Sequence, residues 1–216
     1  MKLTRARLTI LIIAALVIID QVVKIWIKTH FYLGEDHPIF SWFHLLFIEN
    51  NGMAFGMEIL GSKLTLTLFR IILVGALIWY VVKILPIEKI PRGYFVCIAM
   101  IIAGAAGNIF DCLFYGLIFN NPAPPLIATL FPAGGGYAPL FLGKVVDMLY
   151  FPLFSFTWPD WMPMVGGDEF LFFQPVFNIA DASICVGVFV LILFYAKWIQ
   201  SPKALAETVK ESSSNK

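Results

Sequence analysis

A chain of 216 residues that is 60% hydrophobic and only 13% charged has too few charged side chains to cover a water-soluble domain of its size. Its formal net charge of +1 gives no reason to invoke nucleic acid as a partner. The three cysteines, Cys97, Cys112 and Cys185, fall in apolar runs without Cys-x-x-Cys or Cys/His spacing, which argues against a disulfide framework and against a zinc site.

In chain order, the first element is a basic start (Lys2, Arg5, Arg7) followed by an apolar run. It could pass for a secretory leader, but no small-x-small cleavage site precedes Asp20 and the hydrophobic pattern resumes after it, so an uncleaved span is expected. A hydrocarbon core of about 30 Å needs about 20 helical residues, and four runs meet that length, at about 8–29, 64–85, 94–119 and 177–199. The predicted fold class is an all-α membrane protein of four transmembrane helices, forming one integral membrane domain over about residues 1–203. The polar tail, about 204–216, ends in Ser212–Ser214 and is expected to be disordered.

Basic residues set the orientation. They precede the first run, flank the short turn between the second and third (Lys83, Lys89, Arg92), and follow the fourth (Lys197, Lys203, Lys210, Lys216). The positive-inside bias therefore puts both termini in the cytoplasm and leaves external segments at about 30–63 and 120–176.

The first external segment carries all three histidines, His30, His37 and His44, scattered without a metal spacing; they read as ordinary loop residues at the interface. It also carries Asn50-Asn51-Gly52, which reads as a turn before the short apolar strand Met53-Ala54-Phe55-Gly56. The second is rich in Pro, Gly and aromatics, including Pro122, Pro124, Pro125, Gly134–Gly136, Trp158 and Trp161, and suits a partly extended cap on the membrane surface. No repeat is evident, so an inverted-repeat transporter has no direct support.

Carboxylates in these apolar surroundings mark candidate chemistry, because an ionised acid in hydrocarbon costs several kcal/mol. Asp20 lies about twelve residues into an outward-running span and Asp111 about seventeen residues into another. Asp181 opens the fourth span and Asp147 is flanked by Val145, Val146, Met148 and Leu149, so all four acids can meet near the outer leaflet. Asp20 and Lys24 are four apart, acid first, the spacing that lets them pair and neutralise each other. Gly104, Asn108, Asp111 and Tyr115 form a stripe, beside a small-residue ridge of Ala99, Ala103 and Gly107 that permits close helix packing. Asn178 or Asp181 suits the cap of the fourth helix.

Together these segments resemble the signal peptidase II family of membrane aspartic peptidases, the lipoprotein signal peptidases. The resemblance rests on Asp20-Gln21-x-x-Lys24, Asn51-Gly52-x-Ala54-Phe55-Gly56, Gly104-Ala105-x-Gly107-Asn108-x-x-Asp111, Val145-Val146-Asp147 and Phe177-Asn178-x-Ala180-Asp181, in that order over nearly the whole chain. It implies a small extracytoplasmic β-cradle and loop cap, and a catalytic dyad of Asp147 and Asp181. Asp20, Lys24, Asn51, Gly52, Asn108, Asp111, Asn178 and Ala180 would line or support the site, with no metal and no cofactor. The implied substrate is a diacylglyceryl-modified prolipoprotein, cut before its lipid-modified cysteine by a monomer among membrane lipids. The implied location is the bacterial cytoplasmic (inner) membrane, with the site near the outer leaflet. Two departures stand out: Cys112 occupies a position where the family usually has Arg, and the stretch between the third and fifth motifs carries inserts on both sides of Asp147.

Two other classes remain open on the residues alone. A metal-dependent phosphotransferase would also gather Asp residues at a membrane face, although its Asp-rich motif on one helix is absent. An ion-coupled transporter would use Asp20, Lys24 and Asp111 as a relay and leave Asp147 and Asp181 without a role.

Overall fold

The computed structural model describes residues 4–50 and 63–207. Among the described residues four helices are long and apolar enough to cross a membrane: Arg5–His30, Lys63–Ile84, Arg92–Ile118 and Ile179–Trp198. These are the first to fourth spans below, and each lies within a few residues of its expected limits. At 26 residues the first span is about 39 Å long, enough to cross the hydrocarbon core at a tilt. It starts where the Thr4 side chain accepts from the Arg7 N–H (3.3 Å) and ends where Phe31 turns extended.

The third span is central: 61% of its apolar window is buried, against 11–17% for the other three. Small residues allow this. A methyl group on Gly104 would strike the Ala180 carbonyl oxygen, and one on Gly187 would come within 2.9 Å of the Cys97 carbonyl oxygen, so the third and fourth spans meet backbone to backbone. On the ridge, Ala99 and Ala103 are buried and Gly107 faces Asp20. Near its end the third span widens into a π-turn over Asp111–Tyr115, a local irregularity frequent at functional sites.

Between the spans lies a four-stranded antiparallel sheet, ordered β1 (Asp36–Phe40), β2 (Phe43–Asn50), β3 (Val145–Tyr150) and β6 (Val176–Phe177). A separate hairpin, β4 (Phe154–Thr157) with β5 (Glu169–Phe172), is inserted between β3 and β6. The sheet joins the bundle through an apolar core of Ile27, Phe31, Phe47, Tyr115, Phe119, Val146 and Met148. A second core, including Val81, Ile84, Ile90, Tyr94, Phe95 and Ile98, closes the end where the second span turns into the third. The Arg5 guanidinium donates to the Ile87 carbonyl (2.9 Å) at that same end.

One expectation is corrected. The tail does not become irregular at residue 204: residues 202–207 are helical, and Leu205, buried among Ile84, Ile90 and Tyr94, extends the second core. Ser201 starts this turn, its Oγ accepting from the Ala204 N–H (3.2 Å), and the single apolar side chain supplies the reason to dock.

Candidate active site

Within the spans, three charged side chains meet at one place. Lys24 Nζ lies 2.9 Å from Asp20 Oδ2 and 2.7 Å from Asp111 Oδ2, and donates to Asn108 Oδ1 (2.9 Å). The ammonium therefore faces two carboxylate oxygens and one amide oxygen at close range. All three charged groups are essentially inaccessible, so removing one would leave an unpaired buried charge. Gln21 completes the network. Its amide donates to Asp111 Oδ1 (2.8 Å), and its Oε1 accepts from the Tyr115 hydroxyl (3.0 Å), which the π-turn carries inward. Asp20 does a further job: its Oδ1 accepts from the Ala180 N–H (3.0 Å), a donor left free by the first turn of the fourth span. Ala180 thus contributes backbone, and its small side chain sits 3.4 Å from where a Gly107 methyl would be.

Asp111 follows the motif without the usual Arg, and its partners are Lys24 and Gln21. Cys112 points elsewhere: its Sγ is 3.9 Å from Nη1 of Arg70 on the second span.

The second group of carboxylates stands where β3 meets the start of the fourth span. Asn178 caps that span, its Oδ1 accepting from the Asp181 N–H (2.9 Å), and the Asp181 carboxylate returns to the Asn178 N–H (3.4 Å). This capping box explains locally why Asp181 lies one turn into the helix. The Asn178 amide also donates to Asp147 Oδ1 (2.7 Å), so Asn178 touches both acids, Asp147 through its side-chain amide and the Asp181 carboxylate through its backbone N–H. Asn50, at the end of β2, donates to Asp147 Oδ2. Asn108 joins the two groups: its Oδ1 accepts from Lys24 while its Nδ2 donates to Asp181 Oδ1 (2.8 Å).

Asp147 is 2% exposed, whereas Asp181 is half-buried. Burial in the first place, and the nearby Asp181 charge in the second, push the Asp147 carboxyl up to about 7. Neither acid makes an ion pair among the described residues, nor do three or more His, Cys, Asp or Glu side chains there converge as a metal would require.

The comparisons agree with this architecture. Residues 12–197 match the family model described as signal peptidase (SPase) II. The chain belongs to the signal peptidase II family. A lipoprotein signal peptidase of Porphyromonas gingivalis is 44% identical over 216 residues, covering 98% of this chain and 95% of the relative. One from Amoebophilus asiaticus is 35% identical, covering 92% and 81%. A solved bacterial membrane enzyme, 26% identical, superposes with a TM-score of 0.57 over 88% of each chain. As a member of a signal peptidase family, the protein is a protease.

Of the site residues expected from the sequence, Asp20, Lys24, Asn108, Asp111, Asn178 and Ala180 are in mutual contact, directly or through Gln21, and Asn178 ties Asp147 and Asp181 to them. Asn51 and Gly52 lie outside the described residues. Gln21 and Asn50 were not among the expected site residues, although Gln21 belongs to the first motif and Asn50 opens the Asn50-Asn51-Gly52 turn. Lys28 and Glu49 were missed as well; Asp20, Lys24 and Lys28 at successive intervals of four were the available signal.

Proposed function

We propose that this chain is an aspartic endopeptidase that removes signal peptides from prolipoproteins, cutting before the lipid-modified cysteine. The observation that carries the reading is that Asn178 joins Asp147 and Asp181, its side-chain amide donating to Asp147 Oδ1 and its backbone N–H to the Asp181 carboxylate, and that neither acid has an ion-pair partner among the described residues, while Lys24 pairs with Asp20 and Asp111. Two close acids without a counter-charge are most stable with one proton between them. Asp147, the more buried, holds it near neutral pH. Asp181 then takes a proton from water as its oxygen attacks the scissile carbonyl carbon, and Asp147 protonates the carbonyl oxygen. Collapse of the resulting diol returns a proton to Asp147, passes the other from Asp181 to the leaving nitrogen, and breaks the C–N bond.

The names of the relatives support the substrate class. Topology adds support. Arg5, the Ile87–Glu88 turn and Leu205 gather at one end of the bundle, with Lys83, Lys89 and Arg92 in the sequence nearby, and the positive-inside rule assigns that end to the cytoplasm. The sheet and both acids then face the outer leaflet, where a lipid-anchored cysteine would present the bond before it.

Incubating the purified protein with a diacylglyceryl-modified precursor and sequencing the new N-terminus tests the proposal. Cysteine at the first position is the expected result; cleavage elsewhere, or none, overturns it.

A further inference from the structure

Outside the groups just described, a second buried ion pair links the first span to the sheet. Lys28 lies one turn beyond Lys24 and is 1% exposed, and its Nζ pairs with Oε1 of the equally buried Glu49. The other Glu49 oxygen faces Lys144 Nζ at 3.4 Å. Three aromatic rings surround the Lys28 ammonium, with centroids 5.3 Å (Phe119), 5.4 Å (Tyr137) and 5.7 Å (Phe47) away. Tyr137 also accepts the Lys144 N–H on its hydroxyl (2.6 Å). The cluster therefore spans the first helix, β2 and the residue before β3.

A buried pair of this kind is seldom more stabilising than well-packed apolar side chains, so its use is geometric. Glu49 pairs with Val146 across the strands, Asn50 with Val145, and Ile48 with Asp147. Successive strand residues point to opposite faces, so with Glu49 turned to Lys28, Asn50 is on the face of Asp147 and donates to it. A slip of one residue would turn Glu49 away from Lys28 and swing Asn50 off Asp147.

We propose that Lys28, Glu49 and Lys144 form a positioning clamp for the reacting pair, locking β2 against β3 so that Asn50 stays on Asp147. This rests on the reading of Asp147 and Asp181 as the reacting pair. Among the described residues the charged groups acting on Asp147 are Asp181 from the fourth span and Lys24 from the first, and Asn178 and Asn50 both supply donors that favour its ionised form.

The test compares Asp147→Asn, Asn50→Ala, Glu49→Gln and the charge-free double variant Lys28→Met/Glu49→Leu, each purified in detergent and assayed on the lipidated precursor across pH 5 to 9. Glu49→Gln should lower kcat about tenfold with KM within about twofold, since small displacements of a reacting group cost that much. Its falling alkaline limb should move to higher pH, as in Asn50→Ala, and combining those two changes should add little. The apolar double variant, which keeps the packing, should show the same shifted limb even where Glu49→Gln fails to fold. If Asp147→Asn is inactive yet the double variant keeps wild-type kcat and the wild-type limb, the clamp is overturned and the dyad stands. Full turnover by Asp147→Asn overturns both.

Discussion

Asp20 with Asp111, and Asp147 with Asp181, are two pairs of acids a few residues of network apart, and they are built on opposite principles. The first pair encloses Lys24, whose ammonium lies 2.9 Å and 2.7 Å from the two acids, and lends a carboxylate to the N-terminus of the fourth span. The second is held by neutral amides, Asn178, Asn108 and Asn50, which fix orientation without supplying charge. A cation beside an acid favours its ionised form with a full charge, whereas an amide does so only through a hydrogen bond. The lesson is that a buried carboxylate reads as structural or chemical according to what faces it, not according to its depth in the membrane.

Five substitutions sharpen or break that contrast. The largest effect is expected for Asp147→Asn and Asp181→Asn, each lowering turnover by about a thousandfold or more while the thermal midpoint in detergent holds or rises. A large drop in midpoint would instead make this pair structural. Next comes Lys24→Met, which strands two buried acids and should cost about 3–5 kcal/mol of stability. Adding Asp111→Asn to it should recover part of that loss in the same unfolding assay, and no recovery would show that the charges are not coupled. Asn108→Ala, which cuts a side chain bonded to both Lys24 and Asp181, should lower kcat by about a hundredfold and stability by about 1–3 kcal/mol.

The smallest effect is on pH dependence. Asp147 holds its proton up to about 7 in the fold, against 3.8 for a free carboxyl. Below the lower value this preference contributes fully to stability, and it is lost as the pH climbs through about 7. Stability should therefore fall with rising pH over that window, by at most about 1.4 kcal/mol per unit, and Asp147→Asn should flatten the slope. Turnover should fall along with it above about pH 7, where the proton donor is lost. A rate that keeps rising to pH 9 would take that role away from Asp147.

Much of this was legible in the chain. Hydrophobic runs located the spans, because the length of an apolar helix is dictated by bilayer thickness alone. The pairing of Asp20 with Lys24 followed from a spacing of four, and the cap at Asn178 from helix-end chemistry, since both depend on one helix only. Lys28 with Glu49 was not legible, because its partners are twenty-one residues apart on a helix and a strand. Cys112 was conspicuous in the sequence, yet Arg70 from the second span was its neighbour, a contact no local pattern encodes. Leu205 likewise looked like part of a polar tail until the apolar pocket that receives it existed.

By itself, then, the order of residues determined the membrane class, the four crossings, the motif positions and the local helix starts, all of which arise from short-range periodicity and solvent transfer. Only the tertiary structure decided which acids acquire a cation and which acquire an amide. That choice depends on bringing Lys24, Asn108 and Asn178 from three different helices to one place, and proximity between distant segments is a property of the packed molecule.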